Sequence, residues 1–324
     1  MNINKLVVIG AGLVLAGCCC KPPCCQNSVV GNWGLKLPYP SINAGHMIVS
    51  RGVGGKAAAT VLWRWASPIP MKSCEIQGNK FCIVHPWKMI LKGEVCGDAL
   101  TGRITYLKDD GMRDESKAEE TFTGWRNPPI EPAHTALAKL GEPIDLLKDG
   151  LAGWQAMGDG HFGWSFKDGV LSNRIKRDAA GKRVGGDVNL ISKRADFFDF
   201  NLSYDVCVPK GCNSGVYLRG RYEIQTIDSY GQPVDRHNMA AFYGRITPKV
   251  AAEKAPGEWQ HVDVTLYKRH VTVVLNGITI IDNEPVEGVT GGAIDANEFV
   301  PGPLYLQGDH SDADYKNMIL RPAL

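Results

Sequence analysis

The sequence predicts an all-β protein: a two-sheet sandwich of the jelly-roll kind in the C-terminal half, preceded by a smaller β-domain. Three observations carry that reading. Short segments alternate apolar and polar residues with a period of two, the mark of strands with one covered face. The chain holds 37 glycines and 19 prolines among 324 residues, clustered so that they punctuate those segments as turns. Asn276-Gly277 sits between two apolar runs, a two-residue hairpin signal, and no strand–helix alternation of the parallel-sheet kind is seen.

Residues 1–17 carry one lysine, Lys5, then an apolar run over 6–15 that ends in Leu15-Ala16-Gly17-Cys18. The run is too short to cross a bilayer as a helix, and small residues before Cys18 read as a cleavage signal. A cysteine directly after Leu-Ala-Gly resembles the bacterial lipobox. That resemblance implies a signal peptide over 1–17, lipidation at Cys18, and a place in the bacterial cell envelope with the membrane as partner through the lipid. Residues 18–27 hold Cys18, Cys19, Cys20, Cys24 and Cys25 with no histidine among them. Without a folded element to orient ligands, this segment reads as a tether.

The other cysteines are Cys74, Cys82, Cys96, Cys207 and Cys212. Export permits disulfides, and Cys207 and Cys212 flank a turn-forming Val-Pro-Lys-Gly, so they are candidates to meet across a hairpin. A formal net charge of +2 gives no sign of a nucleic-acid partner or a polybasic membrane patch.

Residues 28–130 read as the small β-domain, barrel or sandwich. Alternation over 58–65 fits a strand, with weaker candidates at 80–84, 102–107 and 120–125. Gly54-Gly55, the stretch Pro68 to Pro70, and Asp109-Asp110-Gly111 are the turn signals between them. Trp63, Trp65 and Trp125 suit either a sugar-stacking platform or a small core, and the core is the favoured reading. Four prolines fall in 127–146, and 131–146 reads as a loosely packed linker with one short helical stretch at 134–140.

Residues 147–324 are the second domain, with strands expected at 163–166, 170–172, 198–206, 215–227, 259–267, 271–275, 278–281 and 302–307. Its centre is 213–231, read as one long strand. Tyr217, Arg219, Arg221, Glu223 and Gln225 share one face, and Val216, Leu218, Tyr222 and Ile224 the other. At about 3.3 Å per residue the polar row runs roughly 26 Å, enough to line a groove. A solvated face would carry mobile Thr, Lys, Ser and Glu, whereas these groups make planar, directed hydrogen bonds to a polar ligand.

Several familiar sites are missing from the sequence. Ser214 lies in Gly-Cys-Asn-Ser-Gly, which is no nucleophile elbow, and there is no phosphate-binding loop, H-E-x-x-H or dinucleotide fingerprint. Glu223 and Asp228 are five apart, so a regular strand sends them to opposite faces, against a double-carboxylate glycosidase.

The stretch NSGVYLRGRYEIQTIDSYG, with ordered blocks around it, resembles the family described as 3-keto-disaccharide hydrolases or 3-keto-glucoside 1,2-lyase/hydratases (DUF1080). The blocks are Leu151-Ala152-Gly153-Trp154, Trp164 with Asp168-Gly169-Val170-Leu171, Phe198-Asp199-Phe200-Asn201-Leu202, Pro256-Gly257-Glu258-Trp259, Leu275-Asn276-Gly277, the run Pro301 to Gln307, and His310. The resemblance covers roughly the last 180 residues and implies a concanavalin A-like jelly roll acting on an oligosaccharide or glycoside that carries a 3-keto sugar. A ketone at C3 acidifies the C2 proton and makes the C1 substituent a leaving group, so one base, one enolate stabiliser and one acid suffice.

Glu223, kept ionised by neighbouring guanidiniums, is the expected base. Arg221 and Arg219 are expected to hold the enolate, and His310 to donate or accept a proton. Tyr217, Gln225, Asp228, Lys193 and Gln307 are the further substrate-binding candidates. Asp309, Asp312 and Asp314 offer a divalent-cation site; no other cofactor is expected. Two further readings stay open: a lectin-like binding module, and an ordinary glycoside hydrolase.

Overall fold

The computed structural model describes residues 28–324; the 1–17 leader, Cys18 and the 18–27 tether lie outside the described residues. Nine antiparallel strands between Gly31–Lys36 and Glu120–Arg126 form one meandering sheet. The sheet rolls around Trp33, Met47, Trp63, Phe81, Leu91 and Phe122, all buried. The link between two of its strands helps close the roll, with the Met71 N–H donating to the Ala59 carbonyl and Lys72 to Val84, both at 2.9 Å. Gly102 faces Phe122 across the ladder, and a Cβ there would come within 2.3 Å of the ring. The glycine makes room for the aromatic that fills the roll.

Four of these strands, Gly31–Lys36, Ala44–Arg51, Ser73–Gln77 and Met89–Cys96, lie outside the segments that alternation singled out. The Pro68-to-Pro70 stretch is not a turn but part of the strand Trp65–Pro70 at one end of the sheet order. An edge strand tolerates proline because one row of its N–H groups has no ladder partner.

The second domain is a two-sheet jelly roll. One sheet runs, in spatial order, through Trp164–Lys167, Val170–Asn173, Ala313–Pro322, Phe200–Cys207, Gln260–Tyr267, His270–Leu275 and Ile278–Pro285. The other runs through Trp154–Met157, Asn189–Ser192, Tyr305–Leu306, Asn213–Leu218 and Tyr222–Ile227. Their facing sides share one core, in which Val216, Leu218, Ile224 and Leu306 meet Leu202, Tyr204, Val264, Val273 and Leu320. Burying about a dozen such side chains, at roughly 1.5–3 kcal/mol each, is what holds the sheets together.

The expected long strand over 213–231 is instead a hairpin. Asn213–Leu218 and Tyr222–Ile227 pair antiparallel, with Tyr217 opposite Glu223 and Gly215 opposite Gln225. Arg219 and Gly220 turn the chain at φ of 54° and 66°, and the Arg221 N–H closes the turn on the Leu218 carbonyl at 3.0 Å. Three residues between paired positions preserve parity, so odd-numbered residues still share a face. The pattern in the sequence is real, but the row is folded in two rather than drawn out to 26 Å.

The segment 131–146 is pinned along the sandwich rather than loosely packed. A 3-10 turn at Thr135–Leu137 stands where the helical stretch was expected. Thr135 takes a 2.9 Å bond from its N–H to Asn283 and a 2.6 Å bond to Thr272, and Ile144–Asp145 adds to the larger sheet. The two domains meet along a polar seam: Asn127 to Glu298 at 2.9 Å, Asn32 to Glu287 at 3.0 Å and Ser67 to His237 at 2.7 Å. The five described cysteines, Cys207 and Cys212 included, are free thiols, so the hairpin disulfide does not form.

Candidate active site

The hairpin turns its even-numbered residues into the sandwich core and its odd-numbered residues outward. There a cavity of about 380 Å³ is lined by Tyr217, Glu223, Gln225, Asn213, Gln307, Asp309 and His310 from the second domain. Tyr243 and Gly291 complete that side, and Trp65 and Ala66 of the first domain close the other. Of the polar residues on the hairpin, the structure therefore brings Tyr217, Glu223 and Gln225 together, with Gln307 and His310 beside them.

Arg219 and Arg221 do not line this cavity. They sit at the turn, where the chain reverses and side chains splay away from the sheet face. Arg221 grips Asp295 with two bonds of 2.9 Å and donates to the Arg219 carbonyl at 3.1 Å. Arg219 is fully buried, donating to the Tyr222 phenol at 2.9 Å and lying over the Phe198 ring. Asp228 closes the base of the hairpin by accepting from the Gly211 N–H at 2.9 Å. Lys193 is exposed and hydrogen-bonds through its backbone to Gly153; neither residue lines the cavity.

Glu223 consequently has no guanidinium partner, and the expectation that arginines keep it ionised is reversed. Burial raises its carboxyl to about 8; the Tyr217 hydrogen bond opposes the rise and the Asp309 charge adds to it. The hydrogen bond that opposes the rise is a shared one. The Tyr217 hydroxyl lies 2.8 Å from Glu223 Oε2 and 2.9 Å from the Gly291 carbonyl. A phenol has one hydrogen and a carbonyl has none. The phenol hydrogen is divided between the two acceptors in a three-centre bond, so Tyr217 does little to hold Glu223 ionised against its burial. Tyr305 stacks on Tyr217 at 4.2 Å between centroids, fixing the phenol plane, and burial drives both phenols well above their ordinary range.

Around this acid the lining carries two amide oxygens left over from the fold's own hydrogen bonding. Asn213 Oδ1 and Gln307 Oε1 are buried without a hydrogen-bond partner, each an acceptor that costs stability until something donates to it. At the rim, His310 Nδ1 meets Asp309 Oδ1 at 2.7 Å, which leaves Nε2 as the free ring nitrogen. The acidic loop does not assemble a cation site. Asp309 holds His310, Asp312 takes the Ile175 N–H at 2.9 Å and Arg177 at 3.3 Å, and Asp314 is bidentate with Arg174. Among the described residues no cluster of three metal-binding side chains occurs.

The three tryptophans divide. Trp63 is in the small core, as favoured, and Trp125 is half-buried against the sandwich, but Trp65 is 43% exposed and lines the cavity. For Trp65 the sequence offers the sugar-stacking alternative but favours the core, and the Gly291 approach is not a site feature that the sequence reading contains. The only local trace is the Gly291-Gly292 pair, which marks a close backbone approach.

A family model described as the 3-keto-alpha-glucoside-1,2-lyase-like domain matches residues 143–321. No curated protein gives a significant match. Among solved structures, the chain is similar to a candidate glycosyl hydrolase from Parabacteroides distasonis ATCC 8503, at 23% identity and a TM-score of 0.44, over 60% of this chain and 93% of that one. It is also similar to a carbohydrate-binding module from Bacillus subtilis, at 14% identity and TM-score 0.33, over 51% and 93% of the two chains. LamAcat from Zobellia galactanivorans is similar at 11% identity and TM-score 0.37, over 59% and 100%.

Proposed function

Since the chain belongs to the 3-keto-alpha-glucoside-1,2-lyase-like domain family, we propose that it is a carbohydrate-active enzyme cleaving the glycosidic bond of 3-keto-glycosides by elimination at C1–C2. The observation that carries this reading is a buried carboxylic acid, Glu223, facing the same small polar cavity as the His310–Asp309 pair. One proton donor and one proton acceptor in one pocket are what the reaction needs.

The chemistry is as follows. His310 Nε2 takes the proton from C2, which the C3 ketone acidifies, and the electron pair forms the enolate. When the ketone re-forms, the C1–C2 double bond forms and the C1–O bond breaks. Glu223 gives its proton to the departing oxygen. Asp309 orients the imidazole and offsets the charge it gains. Asn213, Gln225 and Gln307 bind sugar hydroxyls, the orphaned Oδ1 and Oε1 accepting from them. These roles differ from the sequence expectation: Glu223, being protonated, supplies the acid and His310 the base, and Arg219, Arg221, Asp228 and Lys193 take no part. The envelope location through a lipidated Cys18 belongs to the same proposal, since an anchored enzyme would meet glycosides as they enter the cell.

Incubation with methyl 3-keto-α-glucopyranoside and with its unoxidised parent tests the reading. Methanol release from the keto compound alone supports it. Release from the parent as well would indicate an ordinary glycoside hydrolase, and binding of both with turnover of neither a lectin-like module.

A further inference from the structure

We propose that the first domain is part of the binding site, with Trp65 stacking on a second sugar ring, the one that leaves, while the sandwich holds the reacting ring. The inference rests on the reading of the cavity as a glycoside site, and it concerns a residue outside the 143–321 family match.

Trp65 faces the same cavity as Glu223 from the opposite wall. It is 43% exposed, and an indole face suits the C–H face of a pyranose. Its backbone is strained on both sides: Arg64 and Ala66 hold φ of 64° and 62°. Two consecutive-but-one non-glycine residues in the left-handed region persist only where the surroundings impose them, and such strain gathers at ligand sites.

The surroundings that impose it come from the second domain. The Gly292 N–H donates to the Arg64 carbonyl at 2.8 Å. Gly291 lets the Ala66 carbonyl approach so closely that a Cβ there would stand 2.2 Å from it. Arg64 donates to the Ile42 carbonyl at 3.0 Å and lies over the Trp65 ring at 4.9 Å, covering one indole face and fixing the ring plane.

Ser67 completes the clamp. Its hydroxyl meets His237 Nε2 at 2.7 Å, and His237 Nδ1 meets Asp235 at 2.5 Å. The His237 ring packs edge-on against Tyr243 of the cavity wall at 5.2 Å. This chain has the connectivity of a hydrolytic triad, but a Cβ on Gly244 would stand 2.4 Å from the Ser67 hydroxyl. The hydroxyl is walled off from substrate, so the chain joins the two walls of the cavity rather than acting on a ligand.

The test compares 3-keto-maltose, which has a second ring, with methyl 3-keto-α-glucopyranoside, which lacks one, on the full chain. Trp65→Ala should raise KM for the disaccharide by about ten-fold, the scale of one lost stacking contact. Its kcat should hold, as should both constants for the methyl glycoside. Trp65→Phe should restore most of the affinity, which a merely structural role would not predict for one substrate only. Equal effects on both substrates, or none on either, overturn the proposal. Calorimetric titration with unoxidised maltose separates this inference from the proposed reaction. Binding by the wild type that Trp65→Ala removes supports the platform even if neither keto compound turns over. Wild-type binding that Trp65→Ala leaves intact, or no wild-type binding of maltose together with no turnover, overturns it.

Discussion

Tyr217 and Glu223 face each other across the hairpin, and the phenol stands 2.8 Å from one carboxylate oxygen and 2.9 Å from the Gly291 carbonyl. One hydrogen shared between two acceptors is a weak counterweight, so burial decides and raises the carboxyl to about 8. A proton is thereby stored in the pocket floor at neutral pH, where an unshielded glutamate would have lost it.

Replacing the stored proton's carrier should abolish turnover. Glu223→Gln keeps the volume but cannot give up a proton, and loss of a general acid typically costs about 10²–10⁴-fold in rate. In the wild type, activity should fall as pH rises through about 8, where Glu223 ionises. Wild-type rates in Glu223→Gln, read from a pH–rate profile with 3-keto-α-glucosides, would move the acid elsewhere.

Stability should show the same group with the opposite sign from an ordinary salt-bridged carboxylate. The folded value, about 8, lies above the reference of 4.5. Between those values the unfolded chain releases a proton that the folded chain keeps, so stability is full below the lower value and declines towards the higher one. The decline is on the order of a few kcal/mol. Glu223→Gln should therefore melt higher than wild type at pH 8 and no higher at pH 4; equal melting curves at both would show an unshifted carboxyl.

Tyr217→Phe should leave the Gly291 carbonyl buried and unpaired, at a cost of about 1–3 kcal/mol. It also removes the one contact that lowers the Glu223 value. The alkaline limb of the pH–rate profile should then move upward from about 8. A limb that moves down would mean that the phenol accepts from the protonated carboxyl instead of donating to the carboxylate.

Gly291→Ala tests the approach of the two domains. Its Cβ would meet the Ala66 carbonyl at 2.2 Å, and that neighbour is backbone, with little freedom to give way. A loss of about 1–3 kcal/mol in denaturant unfolding is expected, together with weaker maltose binding as Trp65 is displaced. Unchanged stability would mean the loops do not touch in solution.

His310→Ala should lower kcat about 10²–10⁴-fold with little change in KM, as for a residue acting only in the chemical step. Asp309→Asn should cost less, because it leaves the imidazole in place and weakens only its orientation. A fall in Asp309→Asn larger than that of His310→Ala would make Asp309 the base.

The sequence by itself determined what depends on one stretch of backbone. Alternation over 213–227 sorted Val216, Leu218 and Ile224 into the core and Tyr217, Glu223 and Gln225 onto the open face, because side chains change sides at every residue in any strand. That sorting survives the turn at Arg219-Gly220, because three residues between paired positions preserve parity. For the same reason alternation could not tell that the two arginines fall on the turn itself. Only the tertiary structure decided the charge state of Glu223, since that depends on how much water surrounds it and on which cations lie near. Both are set by elements far apart in the chain: the hairpin turn carries Arg221 away to Asp295, and the Gly291 loop supplies the second acceptor for Tyr217. Trp65 shows the same limit. Its neighbours in sequence make it one more strand aromatic; the second domain's loops, packed against Arg64, Ala66 and Ser67, turn it into a wall of the cavity.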